Sequence, residues 1–227
     1  MIPHLLDNPA WSALCSVQAG FAVVGDNAKR YRKGMLPFAA LGPGGRVADL
    51  DGLIDAGESF YLIGELPGLP ANWALQLELP CAQLLGPEYI SDLPAVTEEI
   101  VYLGEQDKME MFGLIDGVQP GYYLPDTRQL GDYFGIRVEG RLVSMAGERM
   151  RLTGLSEISA VCTLPEFTGR GFAQQLIAHV CKAEVAAGVQ PFLHVSKANA
   201  RALRLYEHLG FRQRRDISFY RVKKISG

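Results

Sequence analysis

Apolar residues recur at Ala173, Leu176, Ile177, Val180 and Ala183, the three-and-four spacing of one helical face. This spacing predicts a helix over 172–187, stopped by Gly188. A second run, Ala202, Leu205, Tyr206 and Leu209, begins behind Asn199 as N-cap and ends at Gly210. Between these helices the period changes. Leu155–Thr163, Phe192–Val195 and Phe211–Val222 read as strands. Tyr133–Val138 and Leu142–Ala146 flank Glu139-Gly140-Arg141, a hairpin signal. Upstream, Asp107-x-x-Glu110 has the form of a capping box before Met109, Phe112 and Ile115. The predicted order is helix, hairpin, strand, helix, strand, helix, strand, which is an α/β or α+β layer on a mixed sheet.

The chain before this region is choppier. Phe21–Val24 and Phe60–Ile63 look like strands, and Val47–Ala56 like a short helix closed by Gly57. Trp73, Leu75, Leu77 and Leu79 alternate, which predicts a half-buried strand. The basic run Lys29–Lys33 reads as a solvated turn, with an anion patch as the other possibility. Proline and glycine between Gly86 and Pro94 mark a boundary. The expectation is a smaller α/β part over residues 1–95 and a larger domain over 96–227.

Composition narrows the function classes. A chain of 227 residues with 48% hydrophobic and 21% charged positions forms one large or two small domains, not a disordered segment. The first 95 residues hold nine of the thirteen prolines and a net charge of −5; the remainder carries +2. The total of −3 gives no bulk attraction to nucleic acid or anionic membranes. There is no apolar run of transmembrane length, and the N-terminus lacks the basic start of a signal peptide. Cys15, Cys81, Cys162 and Cys181 form no C-x-x-C pair and find no ligand spacing with the four histidines, so no metal site is expected. Scattered thiols suit a reducing cytoplasm.

The chemistry concentrates between residues 158 and 174. A strand running to Thr163 meets a loop with Gly169 and Gly171, and a long helix opens at Phe172. A helix N-terminus offers unpaired N–H groups and partial positive charge, and glycines allow close approach of a phosphate. A plain glycine loop explains the same residues equally well. A Walker loop fails because Phe172 follows Gly171 where lysine is needed. A dinucleotide fingerprint fails because Gln174 stands at the third glycine and His194-Val195-Ser196 ends the next strand without a carboxylate. The third reading is a coenzyme A pyrophosphate loop, and it rests on the downstream residues.

The downstream residues Asn199-x-x-Ala202-x-x-Leu205-Tyr206-x-x-x-Gly210-Phe211, joined to Gly169-x-Gly171-x-Ala173, resemble the GNAT superfamily of N-acetyltransferases over roughly residues 96–222. The match looks closest to the glycine-N-acyltransferase-like branch, which carries a divergent GNAT-like N-terminal half. Thr168 departs from the arginine or glutamine of the pattern. The resemblance implies a GNAT fold, in which two central parallel strands splay apart within a mixed sheet flanked by helices. It also implies acetyl-CoA as acyl donor, without metal. Val161, Cys162 and Thr163 would pair with pantetheine, and Gly169, Arg170, Gly171, Phe172, Ala173 and Gln174 would hold the pyrophosphate. Asn199 would contact the cofactor by its amide. Tyr206 occupies the position of the acid that protonates the leaving sulfur. Glu157 is the favoured base and His194 its rival. Phe112, Tyr122, Tyr123 and the 212–222 return would build the acceptor pocket. The expected reaction is direct acyl transfer to an amine of a small molecule, amino acid or peptide, by a monomer or homodimer. A non-catalytic acyl-CoA-binding module is the alternative.

Overall fold

Long strands buried on both faces dictate the architecture. The computed structural model describes residues 4–90, 93 and 97–225. Met1 to Pro3, part of the expected boundary stretch and the division at residue 95 lie outside the described residues. The chain opens with α1 (Pro9–Leu14), capped by the Asn8 carboxamide, and a small antiparallel sheet of β1 (Ala22–Val24), β2 (Ala28–Tyr31) and β3 (Ala39–Leu41). Then come β4 (Ser59–Gly64), β5 (Trp73–Leu85), β6 (Ile100–Tyr102), α2 (Lys108–Val118) and β7 (Tyr133–Val138). The last elements are β8 (Arg141–Leu152), β9 (Leu155–Thr163), α3 (Phe172–Ala186), β10 (Gln190–Ser196), α4 (Ala200–His208) and β11 (Arg212–Lys224).

Eight strands form one mixed sheet in the order β4-β11-β5-β10-β9-β8-β7-β6. The β9–β10 pair is parallel, joined by the crossover helix α3, and the other pairs are antiparallel. The sheet is therefore continuous across both parts of the chain: β5 lies between β10 and β11, and β4 forms one edge. Strand β8 contributes to a core on each face. Val143 and Ala146 join Leu176, Ile177 and Val180 of α3, while Leu142 and Met145 join Met111, Leu114 and Ile115 of α2. A third cluster brings α1 and β2 against Met150, Leu152, Phe192 and Phe219, so the N-terminal part packs directly on the sheet.

Most of the predicted strands and both long helices stand where the periodicity put them, and four local expectations need correction. The basic run Lys29–Lys33 is a solvated turn only at its end, where Arg32 and Lys33 are exposed beyond β2. Arg30 and Tyr31 are buried in β2; Arg30 meets Glu58 at 2.6 Å and Lys33 pairs with Asp55. The helix expected over 47–56 is a short 3₁₀ turn, Val47–Leu50, because the Lys224 ammonium takes the Asp51 and Ile54 carbonyls. Leu75 and Leu77 are 44% and 43% exposed rather than half-buried in alternation. This first half of β5 runs past β10, which pairs only with residues 81–85. Asp107 and Glu110 do not form a capping box on α2; both pair with Arg137, at 2.7 and 2.8 Å.

Against α3's C-terminal half lies an unusual buried carboxyl. Both oxygens of Glu184 are enclosed without a hydrogen-bond partner. Burial, together with the neighbouring Glu148 charge, raises its pKa to about 9. The native state thus holds a proton that the unfolded chain releases above the ordinary value of 4.5, and stability falls as pH climbs through that window. Glu184→Gln is expected to gain on the parent in urea midpoint as the buffer moves from pH 5 to pH 8.5. An equal offset at both pH values would contradict this account.

Candidate functional site

Strands β9 and β10 begin side by side and then part. Their registered partners are Leu155 with Gln190, Ser156 with Pro191, and Phe192 with Glu157, and the ladder stops there. Just past that point β9 is bulged. Met145 of β8 faces Cys162 and Gly147 faces Ser159, so Ala160 and Val161 together stand opposite Ala146. Ala160 adopts φ 52°, the left-handed region that costs a non-glycine residue roughly 1–3 kcal/mol. The bulge and the missing partner strand leave the edge of β9 over 159–163 free to receive an extended ligand.

That edge leads to the glycine loop. Gly169 and Gly171 both have φ 83°, and Gly171 is the N-cap of α3. A side chain at either position would be strained, so glycine here reflects a backbone need. The first-turn N–H groups of this fifteen-residue helix have no intrahelical acceptors and suit an anion. A cleft of about 490 Å³ lies here, lined by Val161, Cys162, Thr163, Gly169, Gly171, Phe172, Ala173, Gln174, Asn199 and Tyr206. Arg170 alone among the expected cofactor residues does not line it; its guanidinium sits over the Phe167 ring. Thr168 turns its hydroxyl back to the Pro165 carbonyl at 2.9 Å. The residues fit a pyrophosphate held by backbone, with pantetheine along β9.

A second cavity of about 150 Å³ meets the first at Val161, Asn199, Ala202 and Tyr206. Asn199 caps α4 through the Ala202 N–H at 3.0 Å and so stands at the junction. Tyr206 is buried in an edge contact with Phe211, and burial raises its phenol well above the usual range. It stays protonated near neutral pH and so has a proton to give. Burial likewise raises the thiols of Cys81, on the second cavity, and Cys162, on the first, to about 12.

Behind the second cavity runs a chain of buried polar contacts. Glu157 is fully enclosed, and its carboxylate receives Arg149 Nε at 2.9 Å and Nη2 at 2.6 Å. His194 Nδ1 lies 2.7 Å from the same carboxylate, and its Nε2 lies 3.0 Å from Gln83 Nε2. Gln83 also donates to the Leu6 carbonyl and accepts from Arg214, which reaches on to Asp7 at 2.7 Å. These partners fix the Gln83 amide with nitrogen toward His194, so His194 Nε2 is an acceptor and Nδ1–H is the donor. Burial pushes the Glu157 carboxyl up, but the Arg149 charge and the hydrogen bonds from Arg149 and His194 outweigh it and hold the pKa at about 2. Asp7 is held at about 2 by Arg214 and Arg215 against the same opposing effect of burial.

This geometry corrects the sequence expectation for Glu157. A carboxylate with no exposure, no place on the cavity wall and so low a proton affinity is a poor proton acceptor at neutral pH. His194 does line the cavity, with both ring nitrogens engaged. Tyr122 and Tyr123 line the cavity as expected, whereas Phe112 packs in the α2 core and only Phe219 comes from the return strand. Sequence reasoning missed Arg149 and Gln83. The one available signal was the adjacent charges Glu148-Arg149, which lie inside β8 beyond the predicted strand end at Ala146.

Residues 133–221 match the family model described as FR47-like protein. A solved structure from Novosphingobium aromaticivorans, assigned to the GNAT family of acetyltransferases, is 38% identical; the alignment covers 98% of this chain and 99% of that one, with a TM-score of 0.89. GCN5-related N-acetyltransferase structures from Kribbella flavida and Streptococcus suis share the fold at 15% identity, each with a TM-score of 0.60. They cover 96% and 94% of this chain, and 93% of their own chains in both cases. No curated protein sequence matches the chain. With the splayed strands, the glycine loop opening α3 and near-complete coverage by a relative of this identity, the chain belongs to the GNAT family of acetyltransferases.

Proposed function

We propose that the protein transfers an acetyl group from acetyl-CoA directly to an amine held in the smaller cavity. The observation that carries this reading is the meeting of the two cavities at Val161 and Tyr206. Gly169, Gly171 and the first turn of α3 would hold the pyrophosphate, and the free edge of β9 the pantetheine amides. When bound, the thioester supplies an acyl carbon activated toward nitrogen. A backbone N–H at the β9 bulge stabilises the negative charge that gathers on the carbonyl oxygen. Tyr206 gives its phenolic proton to the departing sulfur. One N–C bond forms and one C–S bond breaks; the nitrogen's proton passes to solvent, the sulfur keeps the Tyr206 proton, and solvent restores a proton to the phenolate. Direct transfer is supported by the two thiols at the cavities, which stay protonated near neutral pH and are poor nucleophiles.

Glu157 and His194 act in this reading as positioning groups, and the acceptor arrives as free amine after losing its proton to solvent. The non-catalytic acyl-CoA-binding module draws on Thr168, whose hydroxyl bonds the Pro165 carbonyl, and on Arg170, which does not line the phosphate cleft.

Three measurements decide. Coenzyme A at about 100 times its dissociation constant should stabilise the protein by about 2.7 kcal/mol in a thermal shift, and Gly171→Ala should weaken that binding. Tyr206→Phe should bind coenzyme A normally and lose roughly 10²- to 10⁴-fold in kcat; unchanged turnover would remove Tyr206 as the acid. The kcat/KM of the parent should rise with pH toward the acceptor's own amine pKa, about 10 for a lysine-like amine. A plateau well below the amine's own pKa that His194→Gln abolishes would instead make His194 the base. Binding without thiol release across an amine panel would favour the module.

A further inference from the structure

We propose that Arg149 reads a carboxylate on the acceptor, so that the amine acylated here belongs to a small carboxylate-bearing molecule such as an amino acid. The inference rests on the acetyl-transfer reading above and names the substrate class of the same site. It begins with the charges on the cavity wall. Among the described residues lining the smaller cavity, Arg149 is the one cation, and no carboxylate is among them. His194 is uncharged in this arrangement, because its Nε2 receives the Gln83 amide N–H. Glu157, the counter-ion, sits behind the wall rather than on it.

The guanidinium is only partly used. Of its five N–H donors, Nε–H and one on Nη2 go to Glu157. The Phe38 ring lies 5.0 Å from its central carbon and covers one face. Among the described residues none pairs with the edge formed by Nη1 and the second Nη2 hydrogen, and two parallel N–H donors on such an edge match a carboxylate. Arg149 is 8% exposed, so an anion bound there meets a desolvated, immobile donor. Its immobility comes from the chain through Glu157, His194, Gln83 and Arg214, which reaches Asp7. An ion pair serving packing alone would be sealed on every side; this one borders a cavity that opens toward the thioester.

Size agrees with charge. A space of about 150 Å³ takes a molecule of roughly benzene's bulk, which is too small for a folded protein substrate to enter beyond one residue. Tyr206 and Val161 define the end where the amine must sit. Arg149 lines the same cavity on another strand, and Phe219, Tyr122 and Leu79 supply apolar and aromatic wall. The acceptor thus presents its amine to the cofactor cleft and its carboxylate to Arg149.

The test uses the unmodified protein first. Thiol release from acetyl-CoA is measured with L-amino acids, each beside its α-carboxamide and its decarboxylated amine, and kcat/KM is corrected for the free-amine fraction. The acids should exceed both partners by roughly 10- to 100-fold, the worth of hydrogen bonds to a charged group. In parallel, a thermal shift of the coenzyme A-bound protein should be larger with the amino acid than with its carboxamide. Two variants then keep a positive charge or remove the pair: Arg149→Lys, and Arg149→Met combined with Glu157→Gln. Both should level the acid-to-amide ratio whatever happens to the absolute rate, a change that lost packing alone would not produce. Amides and simple amines acetylated as fast as the acids would overturn this inference and leave the enzyme standing. Coenzyme A binding with no thiol release to any amine would overturn both.

Discussion

The molecule is organised around one buried negative charge. Taking the Glu157 carboxylate out of water costs several kcal/mol unless it is paired and fully hydrogen-bonded. The compensation comes from both neighbouring strands, Arg149 on β8 and His194 on β10, and then passes to Gln83 on β5 and Arg214 on β11. These are five consecutive strands of the sheet, each contributing one polar residue. The chain ends at Asp7, near the beginning of the sequence. A network of this kind is satisfied only when all its members are in register, so it fixes the relation of β8, β9, β10, β5 and β11 to one another.

That constraint explains how the N-terminal residues and the catalytic half come to share a site. Strand β5 is inserted between β10 and β11, and it brings Leu79, Cys81 and Gln83 to the cavity and its rear wall. The acceptor side of the site is therefore assembled from sequence-distant strands. The cofactor side is local, built from β9, the glycine loop, α3 and the start of α4. The two sides touch where β9 bulges at Ala160 and β10 turns away, a place where the sheet gives up its own hydrogen bonds. Backbone strain and an unpaired edge cost stability, and they recur at sites where a ligand takes over the missing bonds.

Much of this was legible in the residues. The helical spacing behind Gly171 and Asn199 placed α3 and α4 closely, and Leu155–Thr163 is the strand observed. The residues expected to hold the cofactor follow a pattern set by local backbone geometry, and all but Arg170 line one cleft. Where the expectations failed, a distant partner had decided. The start of the run Lys29–Lys33 became strand, with Arg30 buried against Glu58, while Lys33 stays exposed beside Asp55. Leu75 and Leu77 stayed exposed because no neighbour covers that end of β5. Asp107 and Glu110 left their cap for Arg137.

Glu157 and His194 show the same division within the site. Their residue types and strand positions pointed to proton transfer, and nothing in the linear order disclosed Arg149 or Gln83 as their partners. The sequence alone determined which segments are helix or strand and that two glycines precede α3, because periodicity, caps and left-handed glycines act over a few residues. The tertiary structure decided how the buried acid is compensated, which cation lines the smaller cavity and how the first half of the chain joins the sheet. Proton affinity and charge compensation depend on burial and on contacts between residues up to two hundred positions apart, and these exist only once the chain has closed on itself.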